Sequence, residues 1–89
     1  MTRKRKPTMK IYVYNSDIGT FEINQVKHER YELWIEEELL GSYESAALAA
    51  EDVAAFNTGY NEWDTLENEI ENYPENLEQW QKVEEEVPG

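Results

Sequence analysis

The side chains in this chain that could do chemistry are carboxylates and aromatic rings. Of 89 residues, 20 are Asp or Glu, one is His and none is Cys. Nucleophilic catalysis needs a hydroxyl or thiol within hydrogen-bond reach of a base. His28 is the sole imidazole, and it lies in the polar stretch Lys27-His28-Glu29-Arg30, which reads as a loop between strands. Ser42 and Ser45 are accounted for by a strand and a helix cap, so they suggest no nucleophile-and-base pair. Close carboxylates such as Glu51 with Asp52, or Glu69 with Glu71, arise by chance in so acidic a chain. General acid work needs in addition a buried carboxyl with a raised pKa. No EF-hand loop and no phosphate-cradling glycine loop is present. The expectation is a chain that is not an enzyme, with no catalytic residue, no cofactor and no metal.

The aromatic residues are more informative. Trp34, Tyr60, Trp63 and Tyr73, with Asp64 beside Trp63, are the candidate partner-binding residues. Buried aromatic anchors carry much of the energy of protein interfaces, and surrounding carboxylates select a basic partner surface.

Charge is distributed unequally along the chain. Residues 1–30 hold seven of the eight Lys and Arg against three acids, a net of +4. Residues 31–89 hold 17 acids against Lys82 alone, a net of −16. A field of that sign repels nucleic-acid phosphates and attracts basic surfaces. Direct nucleic-acid binding is therefore not expected. No apolar run approaches the roughly 20 residues of a membrane-spanning helix, and Arg3-Lys4-Arg5-Lys6 is followed by Pro7-Thr8 instead of an apolar core. Together these imply a cytoplasmic protein without a membrane partner.

The elements that position these side chains follow from hydrophobic period. Lys10 to Tyr14 is rich in β-branched and aromatic residues and predicts a first strand. Thr20-Phe21-Glu22-Ile23-Asn24 alternates with period two, placing Phe21 and Ile23 on one face and Glu22 on the other. Tyr31-Glu32-Leu33-Trp34-Ile35 alternates likewise, with Trp34 opposite the core face. Leu39 to Tyr43 is a fourth strand. The residues before it, Glu36-Glu37-Glu38, are poor hairpin formers, because two-residue loops demand positive φ; a longer loop or one bent strand is expected there.

Ser45 caps a helix over Ala46–Phe56 with Thr58-Gly59 as its stop, and Ala46, Ala49, Ala50 and Val53 share one face. Beyond it, Tyr60, Trp63, Leu66, Ile70, Tyr73, Leu77, Trp80 and Val83 recur mostly at helical spacing, with Pro74 as a break. Asp64, with Glu67 as its partner, and Asn76, with Gln79, are the expected caps of two short helices, the second running from Leu77 to about Val83. Trp63 and Trp80 are expected to hold this tail against the sheet face bearing Tyr12, Tyr14 and Trp34. The result is an α+β fold, an antiparallel sheet of three or four strands packed on one helix, with a short helical C-terminal tail. Residues 1–9 form a disordered basic arm, 10–83 a single domain, and 84–89 a frayed acidic end.

The run Leu40-Gly41-Ser42-Tyr43-Glu44-Ser45-Ala46-Ala47-Leu48-Ala49-Ala50 resembles the passage from last strand to helix in AP2-type DNA-binding domains. That resemblance implies a sheet-plus-helix geometry. Such domains read DNA with basic and aromatic residues on the exposed sheet face, whereas here Glu22, Glu32 and Glu36 surround Trp34. The likeness therefore bears on fold and leaves the DNA ligand out. Over more of its length the chain is similar to a group of short uncharacterised bacterial proteins that combine Gly19-Thr20-Phe21, the Gly41 to Ala50 run, Thr58-Gly59-Tyr60 and Glu62-Trp63-Asp64. That group implies a bacterial source and supplies no activity.

These observations point to a small acidic protein-interaction module that binds a basic protein surface. The alternative is a DNA mimic, its carboxylates imitating a phosphate row to inhibit a nucleic-acid-binding protein.

Overall fold

A computed structural model describes residues 11–83. The expectations for the basic arm 1–9 and the acidic end 84–89 fall outside these residues. The chain forms β1 (Ile11–Ser16), β2 (Gly19–Lys27), β3 (Arg30–Ile35) and β4 (Glu38–Tyr43), then α1 (Ala46–Ala54), a single turn α2 (Asn61–Asp64), a 3-10 turn (Leu77–Gln79) and β5 (Gln81–Val83). The fold is α+β. Among the described residues five strands make one antiparallel sheet in the order β4-β3-β2-β1-β5. The fifth strand corrects the helix expected from Leu77 to Val83. After one 3-10 turn the chain straightens at Trp80, and Gln81–Val83 pairs with Val13–Ile11 of β1.

Register separates the two faces of the sheet. Residues directly opposite on paired strands share a face. Tyr14, Phe21 and Ile35 form one core-facing row, and Tyr12, Ile23, Leu33 and Gly41 form the next. Phe21, Ile23, Leu33 and Ile35 are buried, as their period-two spacing predicts. Across β3 and β4 the ladder slips by one residue at Leu40. This bulge lets Leu40 pack toward the core while Leu39 stays opposite Trp34 on the other face. Gly41 belongs where it is for space: a Cβ there would lie 3.3 Å from the Tyr43 ring.

The helix α1 lies across β2, β3 and β4. Ser45 caps it as expected, its hydroxyl accepting the Leu48 N–H at 3.2 Å. Ala46, Ala49, Ala50 and Val53 are its buried side, small enough for close approach to the sheet. The Leu40–Ala50 run thus passes from the last strand of the meander directly into this helix. The helix stops earlier than Thr58-Gly59 would place it. Phe56 takes φ 55°, its N–H donates to the Val53 carbonyl, and the Asn57 N–H donates to the Asp52 carbonyl. That is a Schellman ending with phenylalanine where glycine is usual. A left-handed conformation costs a non-glycine residue about 1–2 kcal/mol. Phe56 offsets it by stacking on Trp63, with centroids 4.7 Å apart, and by meeting Tyr73 edge-on at 5.2 Å.

The hairpin between β3 and β4 is tight after all, and Glu36 occupies the left-handed region at φ 52°. Two bonds to Thr20 hold it there. The Glu36 N–H donates to the Thr20 carbonyl at 2.9 Å, and the Glu36 carboxylate accepts the Thr20 N–H at 2.8 Å. Gly19 makes room for this: its φ is 144°, and a Cβ would meet the Glu36 Cγ at 3.2 Å. Glu29, in the hairpin between β2 and β3, is also left-handed at φ 58°; its carboxylate lies 3.7 Å from His28.

The two glutamates are expected to respond oppositely to glycine. Glu29→Gly relieves strain at an exposed turn and is expected to raise stability by about 0.5–1 kcal/mol. Glu36→Gly relieves similar strain but strips the carboxylate from Thr20, and is expected to be neutral or destabilising by about 1 kcal/mol. Urea denaturation midpoints of the two variants check the contrast.

Candidate functional site

The candidate residues do not form one surface. Trp63 is fully buried, and its indole N–H donates to the Val53 carbonyl at 3.0 Å. It meets Tyr14 and Phe21 edge-on as well as stacking on Phe56. It is a core residue, which corrects its reading as a partner anchor: helical spacing marks an apolar side without saying what covers it. Asp64 is likewise turned inward. One carboxylate oxygen accepts the Thr58 N–H at 3.0 Å and the Thr58 hydroxyl at 2.8 Å, and the other accepts the Gly59 N–H at 2.8 Å. The Thr58 hydroxyl in turn accepts the Tyr60 N–H at 3.0 Å. Asp64 therefore ties down the loop ahead of α2. It is the last residue of that helix and not its N-cap, a place held by Tyr60. Asn76 does cap its turn, accepting the Glu78 N–H at 3.0 Å, while Gln79 accepts the Glu75 N–H at 2.7 Å, one residue ahead of the expected position.

Trp34 stands on the opposite side of the sheet from Trp63. The expectation that Tyr12, Tyr14 and Trp34 share a face is corrected by register, since Tyr12 and Tyr14 pair with the buried Ile23 and Phe21. The tail packs on that core face through Trp63 and Trp80, with Trp80 meeting Tyr14 and Phe21 edge-on. Trp80 is buried, and its indole nitrogen has no partner among the described residues.

The outer face carries two full cross-strand rows: Gln81, Val13, Glu22, Trp34 and Leu39, then Val83, Ile11, Asn24, Glu32 and Ser42. No described helix packs on these rows. Leu39 is 47% exposed, and the half-buried Trp34 beside it donates its indole N–H to Glu32 at 3.1 Å. Both charged side chains of the two rows are glutamates, one in each row among apolar and neutral polar groups. Leu39 as Trp34's neighbour was not evident from the sequence, because the bulge at Leu40 decides it.

Tyr60 lies with acids at one end of the sheet. Its hydroxyl donates to Glu62 at 2.7 Å, a bond that raises its pKa, with burial and the charges of Glu62, Glu38 and Glu36 adding to the rise. Tyr73 lies elsewhere, beside Tyr14 in an open groove also lined by Glu71, Glu75 and Gln79. The Tyr14 hydroxyl reaches the Asn72 carbonyl at 3.4 Å, and burial first, then Asp17, raises its pKa. Tyr43 bridges sheet and helix, donating to the Asp52 carboxylate at 2.7 Å. Burial is the main cause of the strong rise in its pKa, followed by that bond. His28 sits exposed in its turn, and among the described residues no group of three or more His, Asp or Glu converges as a metal site.

Two expected outcomes follow from these contacts. Asp64→Asn keeps the size but turns an amide toward N–H or O–H donors, and is expected to cost about 1–3 kcal/mol, measured by thermal or urea unfolding. The Tyr43 phenol, whose ordinary value is 10.0, holds its proton more tightly folded than unfolded. Its contribution to stability is complete below that ordinary value and is lost as pH rises above it, because the unfolded chain releases the proton first. From about pH 10 upward, wild-type stability should therefore fall more steeply than that of Tyr43→Phe.

Each of the short motifs has a use in the fold: Gly19 under Glu36, Gly41 under Tyr43, Thr58 and Gly59 on Asp64, Trp63 in the core. No protein-family model matches the chain, and no curated protein or solved structure matches it significantly.

Proposed function

We propose that this chain is a small acidic protein-interaction module whose outer sheet face docks on a basic protein surface. The observation that carries the reading is the Trp34–Leu39 pair, adjacent across β3 and β4 on a face that no helix covers among the described residues, with Glu22 and Glu32 beside it. An aromatic and an aliphatic side chain together supply the desolvated centre that interfaces use, and carboxylates around them steer a cationic partner. The same glutamates oppose a phosphate backbone. A tryptophan held by a hydrogen bond to Glu32 is also already partly ordered, so less rotamer entropy is lost on docking.

The test is affinity capture with the tagged chain, comparing wild type with the Trp34→Ala, Leu39→Ala double variant. A genuine partner is expected to be retained at least about tenfold less by the variant, the size of effect that loss of a central anchor produces, and to elute with rising salt. Unchanged retention by the double variant would remove the sheet face from consideration. Displacement of the partner by excess duplex DNA at low salt would favour the DNA-mimic reading instead.

A further inference from the structure

Tyr14 marks a discontinuity in the sheet. β5 pairs with β1 only from Ile11 to Val13, so at Tyr14 the edge of β1 is no longer covered by a strand. The irregular segment 71–75 crosses there instead, held by the contact of the Tyr14 hydroxyl with the Asn72 carbonyl. Between them lies an open groove of about 480 Å³ whose lining includes Tyr14, Tyr73, Glu71, Glu75 and Gln79. Its volume is within the ordinary range of small-ligand sites.

The lining has a definite chemistry. It combines two phenol rings with two exposed carboxylates, and among the described residues none of its side chains is cationic. The amide oxygen of Gln79 is engaged by the Glu75 N–H at 2.7 Å, which holds the groove's rim in shape. Tyr73 is fixed from behind by Phe56, and Tyr14 by Phe21, with stacked rings 6.0 Å apart. Aromatic faces attract cations, and carboxylates accept the parallel N–H donors of a guanidinium better than a point charge can exploit them.

We propose that this groove receives an arginine side chain from a basic peptide segment, with Tyr14 and Tyr73 offering ring surface and Glu71 and Glu75 accepting its hydrogen bonds. The inference rests on the reading of the chain as a receptor for basic partners, and it adds a second contact point, on the opposite side of the sheet from Trp34. A partner that engages both would present an arginine well separated from the surface that covers Trp34 and Leu39.

The probe is the blocked tripeptide acetyl-Gly-Arg-Gly-amide, titrated into the isotopically labelled full chain and followed by NMR. Saturable shifts are expected at the amides of Tyr14, Tyr73, Glu75 and Gln79. The Glu71→Gln, Glu75→Gln double variant, altered only at exposed positions, is expected to bind at least about tenfold more weakly. The citrulline analogue, of similar shape but uncharged, is expected to give no saturable shift. Shifts spread without saturation over the acidic surface, equal affinity in the double variant, or equal binding of the lysine tripeptide would each overturn the assignment. Trp34→Ala should leave tripeptide binding unchanged. Loss of the groove result with partner capture still dependent on Trp34 would refute only the groove; the converse would refute only the sheet-face reading.

Discussion

The structure depends on filling the space beneath a helix made mostly of alanine. Small side chains allow α1 to approach the sheet, but Ala46, Ala49 and Ala50 bring little apolar volume of their own. A domain of this size has few other sources of stability, since it has no disulfide to reinforce it. The volume comes from rings delivered by distant segments. Trp63 stands at the centre, stacked on Phe56 and edge-on to Tyr14 and Phe21, with its one polar atom satisfied by Val53. Edge-on and stacked pairs of this kind contribute roughly 0.5–1.5 kcal/mol each beyond the area they bury. The aromatic cluster therefore joins strand, helix and tail into one core, and residues beyond α1 are part of the fold.

Committing residues 61–80 to one side of the sheet leaves the other without a helix among the described residues. This asymmetry gives the molecule its functional possibilities. The covered side contains every buried tryptophan, while the outer side carries Trp34, Leu39 and glutamates. Acidity alone would describe a solvated surface; acidity around an accessible apolar pair is what supports the proposed interface.

Local strain is accepted where tertiary contacts repay it. Phe56 and Glu36 both occupy the left-handed region without being glycine. Phe56 is kept there by its rings' packing, and Glu36 by reciprocal bonds to Thr20 over a glycine that leaves space for its side chain. Propensity argued against a tight turn at Glu36, and it was overruled by a strand 16 residues away. The same physics explains why Asp64, placed as a helix cap by its spacing, instead serves the preceding loop: three donors from Thr58 and Gly59 converge on it.

The amino-acid sequence by itself determined the first three strands, the Ser45 cap, the alanine side of α1 and the place of Trp34 opposite the core residues of its own strand. All of these follow from period and capping, which act over a few residues. It also determined the distribution of charge. Tertiary structure alone decided that the tail ends in a strand, that Trp63 and Asp64 are spent on the core and a loop, and that Leu39 stands beside Trp34. It also decided the groove, whose Tyr14 and Asn72 are 58 residues apart. The reason is that a helical or alternating pattern says which side chains share a side of an element. Which surface then covers that side depends on ladder pairing, bulges and ring packing between segments remote in the chain.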